Sequence, residues 1–166
     1  MAADPVALPT SMDAFVEKQA RADAVVNIVL AGGINYWLTR DIAFVPATLP
    51  LGDPAPNLGG TLIAIAVLMS ILLTLIVYAI TVSQRKSGKI EPGLPADTRA
   101  GLAPFVLALK HLGMTLIPAF LIGMVLQGAG PELQFPPLVF TVIVTVVAAI
   151  LAYFMSKSTT RATLEL

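Results

Sequence analysis

His111 is the only histidine of the chain, and it follows Lys110 two turns inside an apolar run from Leu102 to Gln127. An imidazole in such a place can serve as a base, a metal ligand or an axial haem ligand, and each role needs companions. Zinc and di-iron sites need further His, Cys, Asp or Glu. The chain has no Cys, and its ten acidic residues lie in tails, loops or helix ends. Haem ligation by His111 lacks a second ligand. A Ser-His-Asp arrangement lacks a buried acid. At an interface, only Glu132 and His111 are placed for acid–base work on a lipid. The absence of an intramembrane carboxylate argues against proton antiport but leaves passive permeation open. No glycine-rich loop follows a strand, so nucleotide binding has no support. The reading is therefore of no enzyme, no catalytic residue, no metal and no cofactor. Lys110 and His111 read as an interfacial polar pair reaching the headgroups.

The remaining polar candidates sit in apolar stretches: Asn27, Asn35, Ser70, Thr74, Thr115 and Thr145, together with His111. They serve either as helix-packing groups that hydrogen-bond a neighbouring helix, or as the lining of a polar path for a solute.

The stretch Thr61 to Ser83 shows what must position these residues, for it holds no charge, no proline and no glycine over 23 residues. As a helix it spans about 34 Å, enough to cross a hydrocarbon core of about 30 Å. Composition agrees: 57% of residues are hydrophobic and 12% charged, against about 45–50% and about 25% in soluble domains. The net charge of zero gives nucleic acid no electrostatic footing as a partner. The first 23 residues, with Asp4, Asp13, Glu17 and Asp23 against Lys18 and Arg21, do not read as a cleavable signal peptide.

Residues 1–10 read as a tail, with Thr10 and Asp13 as a capping pair that starts a helix running to about Thr39. At about 100° per residue, Asp13, Glu17, Ala20, Ala24, Asn27, Ala31 and Asn35 share one face of it, and Val26, Val29, Leu30 and Trp37 the other. The small, polar face predicts packing against protein. Residues 40–60 form an outer loop that Pro46, Pro50, Pro54 and Pro56 keep from being helical; Phe44, Val45, Leu49, Leu51 and Leu58 are apolar enough to hold it at the membrane surface. In the second span Ser70, Thr74 and Thr81 share a face, with Ala66 close by. A basic linker, 84–101, carries breakers Pro92 and Pro95. The third span, 102–127, contains Pro118, which predicts a kink and a freed carbonyl for Thr115 or a neighbour to satisfy. After a turn at 128–137, a fourth span, 138–155, shows a small face of Thr141, Thr145, Ala148, Ala152 and Ser156, and a tail follows.

The expected fold is all-α: an integral membrane four-helix bundle of two transmembrane hairpins, spans about 20–39, 61–83, 102–127 and 138–155. Four spans put both termini on one side. Nine of the ten Lys and Arg residues fall on that side and only Arg40 on the other, so the positive-inside rule places both termini inside. Tyr36 and Trp37 then lie at the outer interface, and Tyr78 and Tyr153 at the inner one. A parallel internal repeat is suggested by Tyr78, Thr81, Ser83 and Lys86 matching Tyr153, Ser156, Ser158 and Arg161, and by Phe15, Val16 and Gly33 matching Phe105, Val106 and Gly123. The motif VNIVLAGGINYWLTRD, with its Asn27, Asn35 and Trp37, followed by a proline-rich loop and a span, resembles small bacterial multi-pass membrane proteins, some of them described as permeases. That resemblance covers roughly residues 15–86; it implies the bacterial cytoplasmic membrane and carries over no functional residue. Two functions are expected to compete. One is a non-catalytic accessory or structural subunit that associates with itself or a larger membrane complex. The other is an oligomeric permease or channel-like protein for a small solute.

Overall fold

The computed structural model describes residues 12–48, 54–91, 93–99, 101–130 and 132–165. The Thr10 cap, the first ten residues, Leu49, Pro50 and Leu51 of the loop, and Pro92 lie outside them. Four helices dominate: α1, Met12–Thr39; α2, Leu58–Lys86; α3, Ala103–Gly128; and α4, Pro137–Leu164. Two short strands, β1 at Val45–Pro46 and β2 at Gln134–Phe135, pair antiparallel with Val45 opposite Phe135. The chain is all-α in class, and α2, α3 and α4 are each long and apolar enough to cross a membrane. The first helix, expected as a fourth span, is not among them, because Asp23, Asn27, Gly32, Gly33 and Asn35 dilute its apolar stretch.

Local chemistry explains the boundaries. α2 starts at Leu58 because the Asn57 side chain accepts the Gly60 N–H at 2.7 Å, capping an orphan donor. It ends in a left-handed turn at Gly88, φ 69°. There the Lys89 N–H reaches the Gln84 carbonyl and the Gly88 N–H the Arg85 carbonyl, the paired bonds of a Schellman stop that favours glycine. α4 departs from expectation. The residues after Met155, read as a tail, continue the helix to Leu164, and Ser156, Thr159, Thr160 and Thr163 are buried in it. The loop at 40–60 likewise has a structured half. Beyond the β1–β2 pair, the Ala47 N–H bonds the Leu133 carbonyl and the Ala47 carbonyl accepts the Gly59 N–H, each at 2.9 Å.

α2 lies between α3 and α4, and α1 packs along a separate face of α4, so the packing order is α3–α2–α4–α1. Between α2 and α4, which run parallel, Leu58, Leu62, Phe140 and Val144 form a core with Val45. At the other end of the same pair the Arg85 guanidinium donates to the Thr163 carbonyl. α1 runs antiparallel to α4. Asp13 meets Arg161 at 2.5 Å, Glu17 meets Lys157 at 3.0 Å and accepts from the Tyr153 hydroxyl at 2.7 Å, and Ser156 donates to Asp23. Farther along, a Cβ on Gly32 would come within 3.2 Å of the Thr145 hydroxyl. Val16, Ile90 and Leu164 close the end of this pair, which brings part of the basic linker into a core.

Glu17 joins α1 to α4 electrostatically. The Tyr153 hydroxyl first, then Lys157 and Arg21, hold its carboxyl at about 2, down from 4.5. A depressed folded-state pKa stabilises in full above the unfolded value and is lost as pH falls through the folded one. The contribution is therefore whole above 4.5 and fades toward about 2. Glu17→Gln is expected to lower the unfolding midpoint in mild detergent at neutral pH and to remove much of the acid-induced loss in that window. A midpoint with the wild-type pH profile would count against this linkage.

Candidate functional site

Four of the seven sequence candidates meet between α2 and α3. The cluster begins at a turn of α2, Met69–Leu73, that widens to π-helical spacing. Such turns arise where side chains intrude on the i to i−4 ladder, and they recur at functional sites. Here the Ser70 hydroxyl donates to the Ala66 carbonyl at 2.6 Å or shares its proton with the Thr115 hydroxyl, 2.7 Å away on α3. The same Ala66 carbonyl accepts the Met69 N–H. One turn further, the Thr74 hydroxyl lies 2.8 Å from the His111 Nδ1. Thr115 donates to the His111 carbonyl at 2.9 Å, which closes the cluster on α3 itself.

Ser70 and Thr74 are fully buried and His111 is 5% exposed. His111 is therefore not an interfacial partner of Lys110, as read from the sequence. Adjacent residues on a helix differ by about 100°, and the packing turns His111 onto α2 while Lys110 stays exposed. Its Nε2 is buried without a hydrogen-bond partner. Thr115 spends its hydroxyl on Ser70 and the His111 carbonyl rather than on the carbonyl that Pro118 releases.

The Thr74–His111 contact has the distance of a hydroxyl activated by an imidazole. Both groups are sealed from solvent, and the imidazole's Nδ1 is spent on Thr74, with no carboxylate bonded to it among the described residues. Nor do three His, Asp or Glu side chains converge as a metal site among the described residues. The arrangement joins two apolar helices by hydrogen bonds. Beside it, Leu62, Ala66, Thr115, Pro118, Ala119 and Val147 line a cleft of about 170 Å³.

The other three candidates lie with α1 and α4. Asn27 donates to the Asp23 carbonyl and Asn35 to the Ala31 carbonyl, both at 2.8 Å, so each amide bonds back to its own helix. Thr145 faces Gly32, and its hydroxyl, like that of Thr141, is buried without a hydrogen-bond partner. Sequence reasoning missed Arg85, which is 3% exposed. The signal was its place four residues beyond Thr81 on the already identified buried face. Tyr78 is buried at 4% exposure. Compared with protein-family models, with curated proteins and with solved structures, the chain matches none of them.

Removing one partner of a buried hydrogen bond leaves the other unsatisfied, at a cost of about 1–3 kcal/mol, while removing both is far milder. Interhelical bonds between apolar helices average about 0.6 kcal/mol and reach about 1.7. Thr74→Val is expected to destabilise the chain by about 1–2 kcal/mol, and adding His111→Leu to restore part of that loss. A double-mutant cycle by denaturant titration in detergent measures the coupling; strictly additive losses would show that the contact contributes nothing.

Proposed function

We propose that this chain is a non-catalytic accessory or structural subunit of an assembly in a bacterial cytoplasmic membrane. In this reading all four helices cross the bilayer, with both termini on the inner side, and the chain associates with itself or with a larger complex. One observation carries it: six of the seven polar side chains considered for a solute path, Thr145 excepted, bond within or between helices, while the broad outward faces are apolar. Val25, Val29, Leu30 and Trp37 of α1 and Phe105, Leu109, Ile117 and Val125 of α3 are all exposed. Antiparallel contact with α4 along α1 supports a crossing by this weakly apolar helix.

The packing order also supports a parallel internal repeat. α1 beside α4 corresponds to α3 beside α2, as a two-fold relation between the halves requires, and β1–β2 pairs Val45 with Phe135, positions 90 apart as in the first-span matches. The competing reading is an oligomeric permease. The unpartnered hydroxyls of Thr141 and Thr145 on α4 favour it.

The chain contains no Cys, so single cysteines report topology cleanly. Ser87→Cys and Ser158→Cys are expected to react with an impermeant maleimide only from the inner side, and Gln134→Cys only from the outer side. Labelling of Ser158→Cys from outside would overturn the arrangement. Purified chain in liposomes is expected to pass no small solute, and affinity purification in mild detergent to yield an oligomer or complex. Flux abolished by Asn27→Leu and Asn35→Leu, with folding intact, would establish the permease instead; a monomer without partners would overturn the accessory reading.

A further inference from the structure

A second cavity, of about 320 Å³, opens at the inner end between α2, α3 and the last turn of α4. Its volume lies at the lower end of ligand pockets, about 300–1,000 Å³. The lining is Ala103, Val106 and Leu107 of α3, Ala162 of α4, and two polar side chains, Tyr78 and Lys110. These two are the polar side chains of the lining. Tyr78 is 96% buried by its 4% exposure, lines the cavity, and has a hydroxyl with no hydrogen-bond partner. Lys110 is exposed at the rim and makes no ion pair among the described residues.

Depth decides what fits. α2 is 29 residues long, about 43 Å, so about 6 Å of it projects beyond each side of a hydrocarbon core of about 30 Å. Lys110 lies seven residues into α3 from Ala103, about 10 Å along the axis, and its stem lets the ammonium reach the headgroup level. Tyr78 lies eight residues before the end of α2 at Lys86, about 12 Å in, just below that level. A molecule filling the site must therefore be apolar along α3 and beside Tyr78, and carry negative charge at the rim.

We infer that this cleft binds one anionic phospholipid. Its acyl chain lies against Ala103, Val106, Leu107 and the Tyr78 side chain, and the phosphodiester pairs with the Lys110 ammonium. The interaction is charge-assisted at the rim, where the basic linker adds attraction for an anionic surface. The site is independent of the accessory-subunit reading, since a permease would hold the same lipid.

Native mass spectrometry of the full chain in mild detergent, with phosphatidylglycerol or phosphatidylcholine added, tests this. Wild type is expected to retain one phosphatidylglycerol per chain at least five-fold more than phosphatidylcholine. Lys110→Gln is expected to abolish that preference. Val106→Trp, on the exposed side of the cleft, is expected to block retention while circular dichroism and the melting midpoint stay at wild-type values. Equal retention of the two lipids by wild type, or undiminished retention by folded Val106→Trp, would overturn the proposal.

Discussion

Helices as apolar as α2, α3 and α4 give a polar side chain little to bond on their outer surfaces, so a donor or acceptor gains most from another helix or from its own backbone. This constraint orders the interior. Ser70 turns to the Ala66 carbonyl and to Thr115, Thr74 turns to His111, and Arg85 reaches across to the Thr163 carbonyl. The π-helical turn at Met69–Leu73 sits where those demands concentrate. Two independent hydroxyl contacts one turn apart set both the rotation and the axial register of α3 against α2, which apolar packing alone would leave loosely specified.

α1 obeys a different balance. Its exposed Val, Ile and Leu side chains coexist with Asn27, Asn35 and two glycines, and it packs chiefly against α4. Acid–base contacts hold it at one end and close backbone approach at Gly32 in the middle. Tyr153 contributes through both its ring and its hydroxyl, since Lys157 lies 5.3 Å from the ring centroid while the hydroxyl bonds Glu17. At the far end Arg40 stands 5.9 Å from the Trp37 ring, the contact expected of a basic residue beside an interfacial aromatic. The helix is thus defined less by its own hydropathy than by the partner beside it.

Much of the fold was legible because period and composition act locally. The absence of charge from Thr61 to Ser83 called for a long helix, and the hydroxyl face of Ser70, Thr74 and Thr81 is the buried one. The small, polar face of α1 read from the sequence contains Asp13 and Glu17, which meet α4, and the buried Ala20, but not Asp23 or Gly32, which meet it too. What escaped was non-local. Residues after Met155 read as a tail because serine and threonine lower hydropathy, yet burial against neighbours keeps them helical. His111 and Lys110 looked like a pair because they are adjacent, and packing divided them.

The amino-acid sequence by itself determined the all-α class, three helices apolar enough for a bilayer, and the faces that α2 and α4 bury, because each follows from side-chain chemistry repeated at helical spacing. Only the tertiary structure decided which hydroxyl meets which partner. It placed α2 between α3 and α4, paired β1 with β2 across 90 positions of chain, and buried the Tyr78 hydroxyl without a protein partner. Those outcomes depend on the rotation and register of one helix against another, and no local pattern specifies either until the helices are packed.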